Sequence, residues 1–216
     1  NHADIAAVSN TPQPRPSAMG GHQISYPPGT EFNRATAAIV GNMIGMDPPE
    51  HNVFRKMVSP HFSASVITQL EPKIREIATG ILDRIAPQGE CEFVSSVAAE
   101  LPLVVLCELL GVPQEDRRLL FDWTNRLTDF LNDPMDFLAS YGELFAYGQA
   151  MIERRRRTPT DDLMSIMANA RIDGQPLDQQ LLDGFFLLLV IAVNETTRNT
   201  ISGGVLALSE HPDQRR

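Results

Sequence analysis

Cysteine is scarce in this chain of 216 residues, which contains only Cys91 and Cys107. Their separation matches neither a CxxC pair nor the spacing of zinc ligands, and two cysteines provide no disulfide framework. The pattern predicts two ordinary buried thiols, no metal site and a reducing cytoplasm. No charged and then apolar leader is visible at the amino end, so we expect no export.

Positive charge is scarce as well, because 18 Lys and Arg face 27 Asp and Glu, for a formal net charge of -9. Neither nucleic acid nor an anionic membrane surface gains from an acidic partner, so we expect neither as a partner. The single dense basic block, Arg154 to Arg157, ends a predicted helix, where cations favour the helix dipole. We expect this block to be a solvated helix end.

Apolar runs are too short for a membrane span, which takes about 20 residues. One run extends from Phe185 to Val193 within a segment that Asp178 can cap and that meets no proline until Pro212. These features predict one helix over 177–210, about 30 residues long. Because the run has no polar face, we expect protein to enclose it on all sides.

A polar block follows the apolar run, and in it Glu195 stands next to Thr196. A carboxylate in a mostly buried helix is costly unless it is paired or takes part in chemistry. In the structural alternative, Glu195 pairs with Arg198 or Asn199, and Thr196 bonds the carbonyl of Ala192 one turn back. In the functional alternative, Glu195 and Thr196 act together in a reaction.

The rest of the sequence predicts one nearly all-α domain over 1–216. A hydrophobic content of 43% and a charged content of 21% are typical of a soluble globular protein. The Pro- and Gly-rich region 11–46 either lines a pocket or anchors the chain, and the Asp-Gly turn at 171–175 predicts a small hairpin. Further helices are expected over 2–10, 64–85, 94–110, 113–131, 135–157 and 160–168.

The sequence Asp47-Pro-Pro-Glu50 predicts a helix over 47–62, with Asp47 as its cap and the prolines in its first turn. This helix places His51 and Arg55 one turn apart on one face. The two side chains either bind one anion or form an exposed polar face.

Three stretches resemble the bacterial soluble cytochromes P-450. MDPPEHNVFRKMVSPHF at 46–62 resembles the C helix of the family, and ELPLVVLCELLGVPQEDRRLLFDWTN at 100–125 resembles the E helix and the start of the F helix. LLLVIAVNETTRNTISGG at 187–204 resembles the central I helix. The resemblance implies an incomplete cytochrome P-450 fold, from the B helix to the end of the I helix.

The resemblance also implies a heme b cofactor, with His51 and Arg55 binding its propionates. Glu195 and Thr196 would then lie over the heme, where Thr196 interrupts the helix ladder and the pair delivers protons to dioxygen.

Other implied contacts are those of Ala192 with the heme, and of Leu189 and Val193 with an apolar, steroid- or lipid-like substrate. The region 11–46 and the segment 131–135 would line the substrate pocket. Val193 stands where the family has glycine, which adds bulk beside the heme. The implied partners are dioxygen, the substrate and a ferredoxin-type electron donor.

Parts of the family pattern are missing from the sequence: the first helix, the β-sheets, the ExxR motif and the proximal cysteine that binds iron. Neither Cys91 nor Cys107 has the surroundings of that cysteine. We therefore expect a central fragment that does not turn over by itself and is poorly soluble. The alternative is a non-enzymatic helical module for ligand binding or regulation.

Overall fold

Helices make up most of the protein. The computed structural model describes residues 4–5, 43–128 and 133–215. The α-helices within 43–215 are α1 (Glu50–Val58), α2 (Ala64–Ile85), α3 (Glu100–Leu110), α4 (Arg117–Thr128), α5 (Pro134–Arg157), α6 (Leu163–Asn169) and α7 (Gln179–Glu210). The prediction of a mainly α protein is confirmed, whereas the predictions for 2–10 and for most of 11–46 lie outside the described residues.

The central helix α7 is a single helix of 32 residues, and its predicted cap is confirmed: the Asp178 carboxylate accepts a hydrogen bond of 2.8 Å from the Gln180 amide. Phe185, Phe186 and Val190 are buried in the main core. Leu188, in contrast, is only half-buried, as are Leu189, Ile191, Ala192 and Val193. The expectation that protein encloses the whole apolar run is therefore wrong for one side of the helix.

By length and composition alone, α7 is long and apolar enough to cross a membrane, the one such helix in the described part of the chain. Core helices of soluble proteins pass the same test, and 44% of its most apolar window is buried against other helices. The helix also carries Glu195 and Arg198 near its middle, where a bilayer would penalise charge. We therefore interpret α7 as a core helix.

The first half of α7 lies against α3, α4, α5 and α6. Leu106 and Leu110 of α3, and Leu144 and Met151 of α5, are fully buried in the core they share with it. Helix α1 packs on α7 through an edge-to-face contact of the Phe54 and Phe185 rings, whose centroids are 5.6 Å apart. This contact places the polar side of α1 beside the half-buried face of α7.

The start of α1 differs from the prediction. The helix begins at Glu50, with Pro49 in the cap position, where it makes no side-chain cap bond. Asp47 contributes its main-chain carbonyl, which accepts a 3.1 Å bond from the His51 amide. The predicted single helix over 47–62 is divided into α1 and a 3₁₀ turn, Ser59–Phe62, because Pro60 lacks the amide hydrogen that an α-helix needs.

The predicted helix over 94–110 is also divided. A π-helix, Val94–Ala98, precedes α3, and Pro102 sits in the first turn of α3, where its missing amide costs no hydrogen bond. Gly111 ends α3 with φ of 70°, as a C-terminal glycine is expected to do.

The basic block at the end of α5 is not wholly solvated, which corrects the expectation. Arg155 forms an ion pair of 2.7 Å with Asp162, and the two side chains are only 14% and 7% exposed. Arg155 also donates a 2.5 Å hydrogen bond to the Gly111 carbonyl at the end of α3. Arg155 thus joins α3, α5 and the start of α6.

The two thiols differ, since Cys107 is buried and Cys91 is exposed. The expectation of two buried thiols is therefore wrong for Cys91. It lies in the irregular segment between α2 and the π-helix, where few side chains cover it.

The predicted hairpin is confirmed. β1 (Arg171–Ile172) pairs antiparallel with β2 (Gln175–Pro176), and the turn residues Asp173 and Gly174 both have positive φ, at 51° and 79°. Two successive residues of this conformation form the turn that matches the twist of paired strands.

Candidate functional site

The polar block of α7 begins where the half-buried apolar face ends. The hydroxyl of Thr196 donates a 2.6 Å hydrogen bond to the Ala192 carbonyl. Helix α7 continues as an α-helix through this turn, so the predicted interruption of its ladder is absent. The hydroxyl is exposed and is held by its own helix in this arrangement.

Glu195 lies beside Arg198, with 3.8 Å between its Oε1 and the Nη2 of the arginine. The carboxylate side chain is 42% exposed and the arginine side chain is 19% exposed. The pair that the structural alternative predicted is therefore present, although it is long and open to solvent. Such a pair adds little to stability, about 0–1 kcal/mol.

Arg198 also contacts α4, which the sequence did not predict. Its Nη1 donates a 3.1 Å bond to Oδ1 of Asn125, and Nδ2 of Asn194 donates a 2.8 Å bond to Oγ1 of Thr124. Asn194 is 1% exposed, and its Oδ1 has no hydrogen-bond partner. A buried asparagine on the core side of an apolar helix was the signal available in the sequence.

A second polar cluster holds the opposite side of α4 to α5. Arg126 binds Asp136 at 2.6 Å and Glu143 at 3.0 Å, and the Trp123 indole donates a 2.7 Å bond to Glu143. The Arg126 hydrogen bonds lower the pKa of Asp136, and those from Trp123 and then Arg126 lower the pKa of Glu143. Helix α4 is thus tied by polar contacts to both α5 and α7.

Four of the residues that the resemblance indicates share one face of α7. Leu189, Ala192, Val193 and Thr196 follow one another at the spacing of a helical turn. The first three are half-buried and Thr196 is exposed. The face is therefore apolar, open on one side, and ends in a hydroxyl.

A cleft of about 250 Å³ lies between α1 and this part of α7 and brings Arg55 together with Leu189. A shallower cleft of about 550 Å³ lies on the outer side of α1, and Arg55 lines it too. Among the described residues, neither cleft includes His51, which is half-buried in the first turn of α1. The remaining residues of the inner cleft are Met43, Val58, Ser59, Phe62, Phe185 and Leu188.

These features fit the distal side of a heme. Arg55 is exposed and lines both clefts, so its charge is available to an anionic group such as a propionate. Leu189, on the half-buried apolar face of α7, lines the same cleft as Arg55, so the apolar face and the cation adjoin each other.

The two cysteines lie away from the inner cleft. Cys107 is fully buried in the helical core, and burial raises its pKa to about 12, so its thiol stays protonated at neutral pH. Cys91 lies outside the cleft and outside α7. Among the described residues, no group of three or more His, Cys, Asp or Glu side chains is placed to hold a metal ion.

Comparison with known proteins gives close relatives. The chain is 42% identical to the steroid C26-monooxygenase of Rhodococcus jostii over 175 residues, which cover 80% of this chain and 37% of that protein. It is 37% identical to the methyl-branched lipid omega-hydroxylase of Mycobacterium tuberculosis over 187 residues, which cover 83% of this chain and 44% of that protein. No protein-family model matches the chain.

The solved structure of the Bacillus subtilis cytochrome P-450 PksS aligns with a TM-score of 0.77 and 32% identity. The alignment covers 82% of this chain and 46% of that structure. The chain thus spans less than half the length of each of these three proteins.

Proposed function

We propose that this chain, which belongs to the cytochrome P-450 family, is the central part of a heme-dependent monooxygenase that inserts one oxygen atom from O2 into an apolar substrate. In this proposal α1 and the following turn are the C helix, and α7 is the I helix. The region 11–46, most of which lies outside the described residues, is the substrate loop. The observation that carries the proposal is the open apolar face of α7, which ends in Thr196 with Glu195 beside it.

The cofactor is proposed to be heme b, which supplies dioxygen binding and activation when it is bound. Arg55 in the inner cleft, and His51 one turn before it, would bind the propionates through their side-chain nitrogens. Ala192 would lie against the ring. The iron ligand would be a cysteine other than Cys91 and Cys107, so the chain alone is not expected to turn over.

The proposed role of Glu195 and Thr196 is proton delivery. Glu195 is 42% exposed, so its carboxylate can exchange protons with solvent. The Thr196 hydroxyl now donates to the Ala192 carbonyl, and turning away from that bond would direct its proton toward the open face. A positioned proton donor of this kind contributes about 10²–10⁴-fold to a rate.

The proposed substrate is a steroid or a branched lipid, in line with the names of the two curated relatives. Leu189 and Val193 offer apolar contact on the open face, as a greasy substrate requires. Electrons would come from a ferredoxin-type protein in the cytoplasm, which agrees with two cysteines that form no disulfide.

The test is Glu195→Gln in the intact protein that contains this chain, with purified heme-loaded enzyme and a steroid substrate. We expect turnover to fall by about 10²-fold because the amide cannot pass on a proton. The melting temperature should stay near that of the wild type, since the pair with Arg198 is long and exposed.

The matched control is Glu153→Gln, which also removes a carboxylate from an exposed helical pair, here with Arg157 at 2.9 Å. This control should leave turnover unchanged. If Glu195→Gln instead lowers the melting temperature and spares turnover, Glu195 is structural and does not deliver protons. If the intact wild-type protein binds no heme and turns over no substrate, the second candidate, a non-enzymatic helical module, replaces the enzyme.

A further inference from the structure

Two side chains of α7 flank Glu195 and hold two consecutive residues of α4. Asn194, directly before it, donates to Thr124 at 2.8 Å, and Arg198, one turn later, donates to Asn125 at 3.1 Å. The first of these bonds is buried and the second is partly buried. These two bonds therefore fix the distance between α4 and α7 on both sides of Glu195.

Arg198 has three polar neighbours in different directions. Besides Asn125 it reaches Oδ1 of Asn199 through Nε at 3.4 Å and the Glu195 carboxylate through Nη2 at 3.8 Å. Its guanidinium is a rigid planar fork, so a bond on one edge orients the other edge. Since the shortest of these contacts is to α4, the position of α4 determines where the charge beside Glu195 lies.

Glu195 and Thr196 do not contact each other in this arrangement. Neighbouring helical residues point about 100° apart, and the Thr196 hydroxyl is bonded to Ala192 while Glu195 lies on the side of Arg198. Among the described residues, Arg198 is the one cation paired with Glu195. Loss of Arg198 would therefore leave the carboxylate without the fixed position from which it turns toward Thr196, which makes productive proton delivery less frequent.

We propose that Arg198 is a positioning residue, which holds the Glu195 carboxylate in its resting place and couples that place to helix α4 through Asn125. This inference rests on the proposed monooxygenase function and deepens it. Helix α4 ends at Thr128, three positions before the segment 131–135 that the resemblance assigns to the substrate pocket. A substrate that shifts α4 thereby moves Arg198 and alters proton delivery by Glu195.

The experiment compares Arg198→Gln, Asn125→Ala and the double variant in the intact, heme-loaded protein. We expect Arg198→Gln to lower kcat by about fivefold with KM unchanged, the size usual for coupling residues. The solvent deuterium isotope effect on kcat should rise, because proton delivery becomes more limiting. Asn125→Ala should lower kcat by a smaller factor. The double variant should have the same kcat as Arg198→Gln, since Asn125 acts through the arginine.

A second measurement does not depend on turnover. Backbone hydrogen exchange in substrate-free protein should become faster in α4 for both single variants, because each removes a bond that holds α4 to α7. The matched control is Arg118→Gln, which removes an exposed cation from the same helix. It should change neither kcat nor exchange in α4.

The variants Glu195→Gln and Arg198→Gln distinguish the positioning role of Arg198 from the proposed monooxygenase function. If Glu195→Gln slows turnover but Arg198→Gln behaves like Arg118→Gln, the positioning role is wrong and the monooxygenase assignment stands. Additive effects in the double variant would also overturn it, since Asn125 would then act independently of Arg198. If Glu195→Gln has no effect on turnover, the proton-delivery role of Glu195 fails, and the absence of turnover in the wild-type protein would overturn the monooxygenase function itself.

Discussion

An alanine at position 148 would test how closely α5 and α7 approach each other. Gly148 is buried on α5, and an ideal Cβ placed there would lie 2.5 Å from Cδ1 and 3.0 Å from Cε1 of Phe186. Phe186 is fully buried on α7, and its ring also stacks on Tyr147 at 6.3 Å. Because real Cβ atoms do not approach other atoms this closely, Gly148→Ala must force the two helices apart or push the ring off its rotamer.

Two effects of opposite sign decide the stability of this variant. Alanine favours a helix interior over glycine by about 1 kcal/mol, whereas overpacking a tight core costs about 1–3 kcal/mol. Gly142, two turns earlier on the same helix, is exposed and has no heavy atom within 4 Å of an added Cβ. Gly142→Ala therefore carries the helix gain alone, and the difference between the two variants isolates the overpacking cost.

The assay is urea unfolding of the intact protein, followed by far-ultraviolet circular dichroism for wild type and both variants. Gly142→Ala should be more stable than wild type, and Gly148→Ala should be less stable than Gly142→Ala by about 1–3 kcal/mol. Equal stability of the two variants would refute the close approach of α5 and α7 at Phe186.

Two further predictions concern charge and thiol reactivity. Arg126 lowers the pKa of Asp136 and Glu143, so these carboxylates stabilise the fold above their unfolded pKa values and lose that effect as the pH falls through the lowered values. The difference in melting temperature between wild type and Arg126→Gln should therefore be largest near neutral pH and should disappear in acid. A difference that does not depend on pH would contradict this. Cys91 should react quickly with a maleimide and Cys107 only after unfolding, because burial raises the pKa of Cys107 to about 12. Mass spectrometry of the labelled protein locates the label. Early labelling of Cys107 would contradict its burial in the core.

Local signals predicted much of the fold. The apolar periodicity over 64–85 gave the bounds of α2, and the Asp178 cap and the absence of proline gave those of α7 within two residues. Gly111 and the Asp173-Gly174 turn also behave as predicted. Each of these features is decided by residues within one or two turns of one another, which a sequence displays directly.

Features that depend on distant residues were not predictable. The Arg154 to Arg157 block read as a solvated helix end because nothing in its neighbourhood indicated that Arg155 would meet Asp162 and the end of α3. Helix α1 begins later than expected, with Pro49 in the cap position that the sequence assigned to Asp47. In both places, tertiary contacts or backbone geometry replaced the local signal.

The sequence left a structural and a functional alternative open for Glu195. The pair with Arg198 and the bond from Thr196 to Ala192 are the contacts of the structural alternative. A pair of 3.8 Å with a 42% exposed carboxylate nevertheless adds little to stability. The shorter contact of Arg198 is its hydrogen bond to Asn125, 73 positions earlier in the chain. Through this bond, helix α4 determines where Arg198 holds the Glu195 carboxylate. A carboxylate held loosely by an arginine that α4 positions can rest in one place and still turn toward Thr196 when α4 shifts.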